Sequence, residues 1–167
     1  MPDVVLPEPE LALLVVDIDG VVADVRHRLH HIGSHPRRWE DFFAAAAEDP
    51  VLPEGLAIVT DIPPGSALCW LTGRPERNRA LTEDWLRRHG MPDSPLLMRA
   101  DRDHRPARQA KREHLLRLRR THRVALMVDD DPLVLEMLAE LGIASMLADW
   151  LPFSPRLHQA QERQGRT

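Results

Sequence analysis

A chain of 167 residues with 43% hydrophobic and 29% charged residues can bury one core and stay in water, which excludes a disordered chain and points to a single domain. The formal net charge of -4 excludes a globally basic nucleic-acid binder, and the lone cysteine, Cys69, excludes an intrachain disulfide. No apolar run approaches the ~20 residues of a membrane helix. The opening MPDVVLPEPE lacks the basic and apolar regions of a signal peptide, so the expected location is cytoplasmic.

The first ten residues contain three prolines and read as an extended lead-in. Leu11 to Gly20 (LALLVVDIDG) is an apolar run closed by a turn signal, the pattern of a buried parallel strand. Alternation puts Asp17 and Asp19 on one side at the strand's carboxyl end, where open α/β sheets keep their ligands. Two carboxylates so close repel and need compensation. A hard divalent cation such as Mg²⁺ supplies it, although the same residues also fit a strand followed by an acidic turn.

Residues 21 to 35 carry Arg26, His27, Arg28, His30, His31 and His35 and read as an irregular insertion too polar for core. Pro36 to Ala47 is predicted as a short helix with Trp39, Phe42 and Phe43 on one packing face. Pro50 and Pro53 break the chain, and a further short helix is expected over 54–62. Residues 21–53 thus form a small cap inserted after the first strand.

Ala67 to Leu71 is the second strand, ending at Thr72-Gly73-Arg74, and a helix is predicted over Glu76 to His89 with Gly90 as its stop. Cys69 lies inside that strand and reads as a buried, inert thiol. Leu96 to Met98 is a third strand, and Ala107 to Arg120 a basic helix. Val124 to Val128 is a fourth strand, ending in Asp129-Asp130-Asp131-Pro132. Asp131 before Pro132 reads as the cap of the helix over Leu133 to Leu141. Ile143 to Leu147 is the fifth strand, and a polar tail spans about 155–167. Strands alternating with helices predict an α/β, Rossmann-like fold: a five-stranded parallel sheet flanked by helices.

Three strand ends then meet at one edge of the sheet. They bring Asp17 and Asp19, Thr72 and Gly73, and Asp129 and Asp130, with Lys111 on the helix before the fourth strand. Carboxylates for Mg²⁺, a hydroxyl and backbone amides for an anion, and one ammonium suit phosphoryl transfer. Lys111 is the only lysine beside 21 arginines, which points to a need for a compact ammonium and makes it the one ε-amine target for an acylating reagent. Basic patches fit an anionic substrate: four Arg, four His and no acid over Val25 to Trp39, and ten Arg or Lys against three acids over Arg99 to Arg123. Both also read as solvated faces. The cap histidines lack the spacing of a metal site.

The motif order DxDG, TGR, a lone Lys and VDD resembles the haloacid dehalogenase (HAD) superfamily of phosphatases over residues 11 to about 148. DIDGVVAD, CWLTGRPE, LLMR and VDDDPLVLEML are similar, more narrowly, to the 3′-phosphatase domain of phage polynucleotide kinase. The resemblance implies that Asp17 is the nucleophile forming an aspartyl phosphate and that Asp19 is the general acid and base. It implies Mg²⁺ held by Asp17, Asp129, Asp130 and the Asp19 main-chain carbonyl. Thr72 and Gly73 would bind phosphate, Lys111 would offset charge, and Arg74 with Arg26 or Arg28 would bind substrate. The narrower group usually has Asp where Ala107 stands here, with Asp101 or Asp103 as substitutes within reach in sequence. The expected function is a Mg²⁺-dependent phosphomonoesterase acting on 3′-phosphate ends of nucleic acid or nucleotides. The alternatives are a phosphatase of nucleotides or other small phosphorylated metabolites and a decayed fold acting as the binding partner of a kinase or ligase.

Overall fold

The computed structural model describes residues 4–33, 35–152 and 155, so the tail expected beyond Pro155 lies outside the described residues. Five strands form one all-parallel sheet in the order β3-β2-β1-β4-β5: β1 (Ala12–Val16), β2 (Ser66–Pro75), β3 (Leu96–Arg99), β4 (Val124–Asp129) and β5 (Ser145–Leu147). Parallel neighbours require crossovers. Helices α3 (Arg79–Arg88), α4 (Ala107–Leu118) and α5 (Pro132–Glu140) make three of them, while α1 (Trp39–Ala44) and α2 (Pro53–Thr60) lie between β1 and β2.

The central strand β1 is buried throughout because both faces of the sheet are covered. Leu14 and Val16 pack with Leu68, Trp70, Val59, Trp85 and Leu86 on the side of α2 and α3. Leu13 and Val15 pack with Cys69, Leu71, Leu115, Val134 and Leu138 on the side of α4 and α5. Burial pushes the Cys69 thiol up to about 12, which makes it the inert core group the sequence suggests. Asp131 caps α5 as expected, its carboxylate accepting from the Leu133 N–H at 2.9 Å with Pro132 in the first turn.

Several boundaries shift. Strand β2 runs on through Thr72, Gly73 and Arg74 to Pro75, because Thr72 still pairs with Met98 of β3 and Pro75 with Arg99 beyond an irregularity. The helix predicted from Pro36 begins only at Trp39. Arg38 keeps a non-helical backbone and donates its N–H back to the His31 carbonyl at 2.9 Å. The chain from Glu76 starts as a 3₁₀ turn before α3. Ile143 is core rather than strand, since its N–H closes the end of α5 on Leu138.

The insertion is less polar inside than its sequence suggests. Val21, Val22, Ala23 and Val25 are buried, and Val25, Ile32, Trp39, Phe42 and Phe43 form a separate small core. The three aromatic rings lie 5.6–6.0 Å apart, so they are a packing face. Gly55 of α2 presses on the loop after β1: a Cβ there would stand 2.0 Å from the Val21 carbonyl oxygen. The Trp150 indole N–H donates to the same carbonyl at 3.1 Å. The loop that carries Asp19 is thus pinned from two sides.

Candidate active site

The carboxyl ends of β1 and β4 carry the first cluster. The Asp17 N–H continues the β1–β4 pairing to the Val128 carbonyl at 3.0 Å, which holds Asp17 beside Asp129. Lys111, buried on the inward side of α4, donates from Nζ to Asp17 Oδ2 at 2.6 Å and to Asp129 Oδ2 at 2.7 Å. Asp130 completes the cluster by folding over Gly20. That glycine has φ +79° and no room for a side chain, since a Cβ would stand 2.1 Å from Asp130 Oδ2.

Asp17, Asp129 and Asp130 each offer an oxygen, all within 4.8 Å of one another, and no other group of three or more metal-ligating side chains stands among the described residues. One ammonium faces three carboxylates, so negative charge is left over. Burial pushes Asp17 up to about 7, with Lys111 opposing the rise and Asp129 adding to it. Burial and then the charges of Asp129 and Asp17 push Asp130 well above the carboxylate range. Burial likewise opposes the charge of Lys111, but Asp129 and Asp17 overcome it and hold the ammonium protonated. An all-oxygen donor set with surplus negative charge fits a hard divalent cation such as Mg²⁺.

The second cluster sits under the insertion. Arg28 has no exposed side-chain surface, which overturns the reading of residues 21–35 as too polar for core. Its Nη2 donates to Asp19 Oδ1 at 2.7 Å and to Asp49 Oδ2 at 2.8 Å, and its Nε donates to Asp49 Oδ1 at 2.7 Å. Arg74 donates to Asp19 Oδ1 from Nε at 3.0 Å and to Asp49 Oδ2 from Nη2 at 2.9 Å. The Arg28 guanidinium also lies 4.2 Å from the centre of the Phe42 ring, a cation–π contact that ties the cluster to the small core. Burial opposes ionisation of Asp19, but Arg28 and Arg74 outweigh it and hold the carboxyl down at about 2.

Two carboxylates and two guanidinium groups balance here, and Asp49 is the member the sequence did not reveal. The signal was indirect. Residues 25–39 hold four arginines and no acid, so any arginine buried there must find its carboxylate elsewhere.

Arg26 is not brought to this cluster. It turns outward, pairs with Asp24 through Nη2 at 2.6 Å, and keeps 58% of its side chain exposed. The 3₁₀ helix over Arg26–His31 separates the two arginines, which stand two residues apart and face different ways. Thr72 and Gly73 are buried at the end of β2, and the Thr72 hydroxyl accepts from the Arg74 N–H at 3.3 Å. Neither Asp101 nor Asp103 replaces the acid absent at Ala107: Asp101 accepts from the Arg77 N–H, and Asp103 pairs with Arg105. The cap histidines bind no common point. His27 reaches Asp49, while His30 bonds the His27 carbonyl and lies against His31 with the rings tilted and their centres 3.9 Å apart. Burial of Lys111 in two ion pairs also removes it as an easy target for acylating reagents.

An all-parallel sheet with acids at the end of its central strand is the arrangement expected above for a chain of the haloacid dehalogenase type. Residues 11–149 match the polynucleotide kinase PNKP phosphatase domain, and the chain belongs to that family. No curated protein is matched. The fold is similar to that of a chain in a Pnkp1/Rnl/Hen1 complex, with a TM-score of 0.67 and 21% identity over 92% of this chain and 51% of that one. A second structure, of the Pnkp1/Rnl/Hen1 RNA repair complex, gives 0.66 and 22% over 88% and 46%. The present chain therefore spans about half the length of those chains. A Thermotoga maritima protein assigned as a beta-phosphoglucomutase shares the fold at 0.55 and 16%, covering 92% of this chain and 93% of its own. Among the described residues no helix is long and apolar enough to cross a membrane.

Proposed function

We propose that this phosphatase is a Mg²⁺-dependent phosphomonoesterase that removes 3′-phosphates from nucleic-acid ends through an aspartyl phosphate. The observation that carries the reading is the Asp17–Lys111–Asp129 bridge beside Asp130: a nucleophile, a fixed positive charge and a place for a cation at one sheet edge.

Asp17, Asp129 and Asp130, with the Asp19 carbonyl, would hold the cation. Bound there, it neutralises phosphate charge and favours the ionised Asp17. An Asp17 oxygen forms the new bond to phosphorus while the bond to the leaving 3′-oxygen breaks. Asp19 gives that oxygen its proton, then takes a proton from the water that cleaves the aspartyl phosphate. The arginines hold Asp19 ionised, the state needed to activate water. A substrate whose oxygens draw Arg28 and Arg74 away prepares the protonated state for the first step. The Thr72 hydroxyl and Gly73 amide suit phosphate oxygens, and Lys111 offsets charge as it moves on to Asp17.

The test is hydrolysis of a 3′-phosphorylated oligonucleotide, a 5′-phosphorylated one and phosphorylated metabolites, each with Mg²⁺ and with chelator. The reading predicts Mg²⁺-dependent release with the 3′-phosphorylated strand preferred. Preference for a small metabolite would replace the substrate, and chelator-resistant turnover would replace the mechanism.

A further inference from the structure

Arg77 stands where three parts of the molecule meet. It belongs to the 3₁₀ turn directly after β2, three residues beyond Arg74. Its Nη2 donates to Glu40 in the first turn of α1 at 3.1 Å, and its guanidinium lies 5.6 Å from the centre of the Phe43 ring. Its N–H donates to Asp101, in the loop after β3, at 2.8 Å, and Nη1 is 3.7 Å from the same carboxylate. Phe43 touches Phe42, and Phe42 lies under Arg28 on Asp19. Arg77 is therefore linked to Asp19 through Phe43, Phe42 and Arg28, and it follows directly on the strand end that carries Thr72 and Arg74.

The environments of the two arginines differ in one respect. Arg74 is sealed and its partners are buried, whereas Arg77 is 39% exposed, Glu40 81% and Asp101 48%. Exposed ion pairs of this kind contribute little to stability and exchange readily with other anions. A guanidinium just beyond the strand end that carries Thr72, held by two exposed carboxylate contacts, is suited to a phosphodiester oxygen.

We infer that Arg77 is a strand-binding residue: it takes an internucleotide phosphate of the nucleic-acid chain whose 3′ end occupies the site, with Glu40 and Asp101 as competing anions that the strand displaces. The inference rests on the nucleic-acid reading above. It separates strands from mononucleotides, which carry no second phosphate to reach Arg77. It also assigns the two acids an unusual sign, since removing either one improves strand binding.

The experiment compares a 3′-phosphorylated single-stranded oligonucleotide with a 3′-phosphorylated mononucleoside, for the wild type, Arg77→Gln, Glu40→Gln and Asp101→Asn. Arg77→Gln is expected to raise KM for the oligonucleotide several-fold more than for the mononucleotide. It should also flatten the slope of log affinity against log salt by about 0.7, the loss of one contact to a single strand. Glu40→Gln and Asp101→Asn are expected to lower KM for the oligonucleotide. Equal losses on both substrates in Arg77→Gln, or a raised oligonucleotide KM in Glu40→Gln, would show that Arg77 only ties α1 to the sheet and would overturn the inference. A wild type without preference for the oligonucleotide would overturn the nucleic-acid reading and this inference together. A preference that survives Arg77→Gln intact removes the inference alone.

Discussion

The two buried charge clusters differ in how complete they are. Around Lys111, three carboxylates share one ammonium. Around Asp19, two carboxylates face two guanidinium groups, and oxygens and N–H donors largely satisfy one another. Buried charge is tolerated when paired and hydrogen-bonded and is costly otherwise. The balanced cluster can hold itself together and fixes the insertion over the sheet edge. The unbalanced one, on rigid strand ends, suits a cation and a reacting phosphate. Substitutions in the unbalanced cluster should therefore affect chemistry while sparing the fold, and substitutions in the balanced cluster should affect both.

The largest effect is expected at Asp17. Asp17→Asn removes the attacking oxygen and should abolish turnover while leaving the circular dichroism spectrum and cooperative unfolding in place, because it also relieves repulsion with Asp129. Wild-type rates in this variant would remove the aspartyl-phosphate step. Lys111→Arg comes next, with a loss on the order of 100-fold or more in kcat. A planar guanidinium cannot take the ammonium's place between Asp17 Oδ2 and Asp129 Oδ2. Steady-state kinetics on an aryl phosphate check it.

The balanced cluster is broken at Asp49. Asp49→Asn leaves Arg28 and Arg74 sharing Asp19 alone, and uncompensated buried charge typically costs about 3–5 kcal/mol. Urea unfolding should show that loss, together with reduced turnover. Arg26→Ala, two residues from the buried Arg28 but paired only with Asp24 at the surface, should change little in either assay.

The smallest effect concerns pH and lies outside both clusters. His114 is buried against the Met98 carbonyl at 3.1 Å, and burial, followed by the Arg117 charge, lowers its pKa from the ordinary 6.5. The native state therefore binds fewer protons here than the unfolded chain. The contribution is fully present above about pH 6.5 and is lost as pH falls toward the lowered value. In His114→Gln, stability between pH 7 and 5 should fall less steeply than in the wild type, as read by thermal unfolding across that range.

The strand core and the unbalanced cluster were legible because their residues lie in apolar runs that end in acids. Asp17, Asp129 and Asp130 follow from lining up the carboxyl ends of neighbouring parallel strands, whereas alternation puts Asp17 and Asp19 together and the structure parts them between the two clusters. Lys111 stood out by being the only lysine. The balanced cluster was half hidden. Arg28 lies in a polar stretch with Arg26, and only the 3₁₀ geometry decides which of the two turns inward. Asp49 sits between Glu48 and Pro50 after a run of alanines, with no periodic neighbour to mark it, yet it joins Arg28, Arg74 and His27. Long-range charge pairing leaves no local pattern, which is also why Asp101 looked available to Lys111 when it is engaged with Arg77.

The most direct measurement is calorimetric titration of Mg²⁺ into the wild type and into Asp129→Asn, with thermal unfolding followed at each Mg²⁺ concentration. Completion of the unbalanced cluster by a cation predicts one saturable site in the wild type, a Tm that rises with Mg²⁺, and loss of both in Asp129→Asn. Equal binding and equal Tm shifts in the two proteins, or none in either, would contradict it.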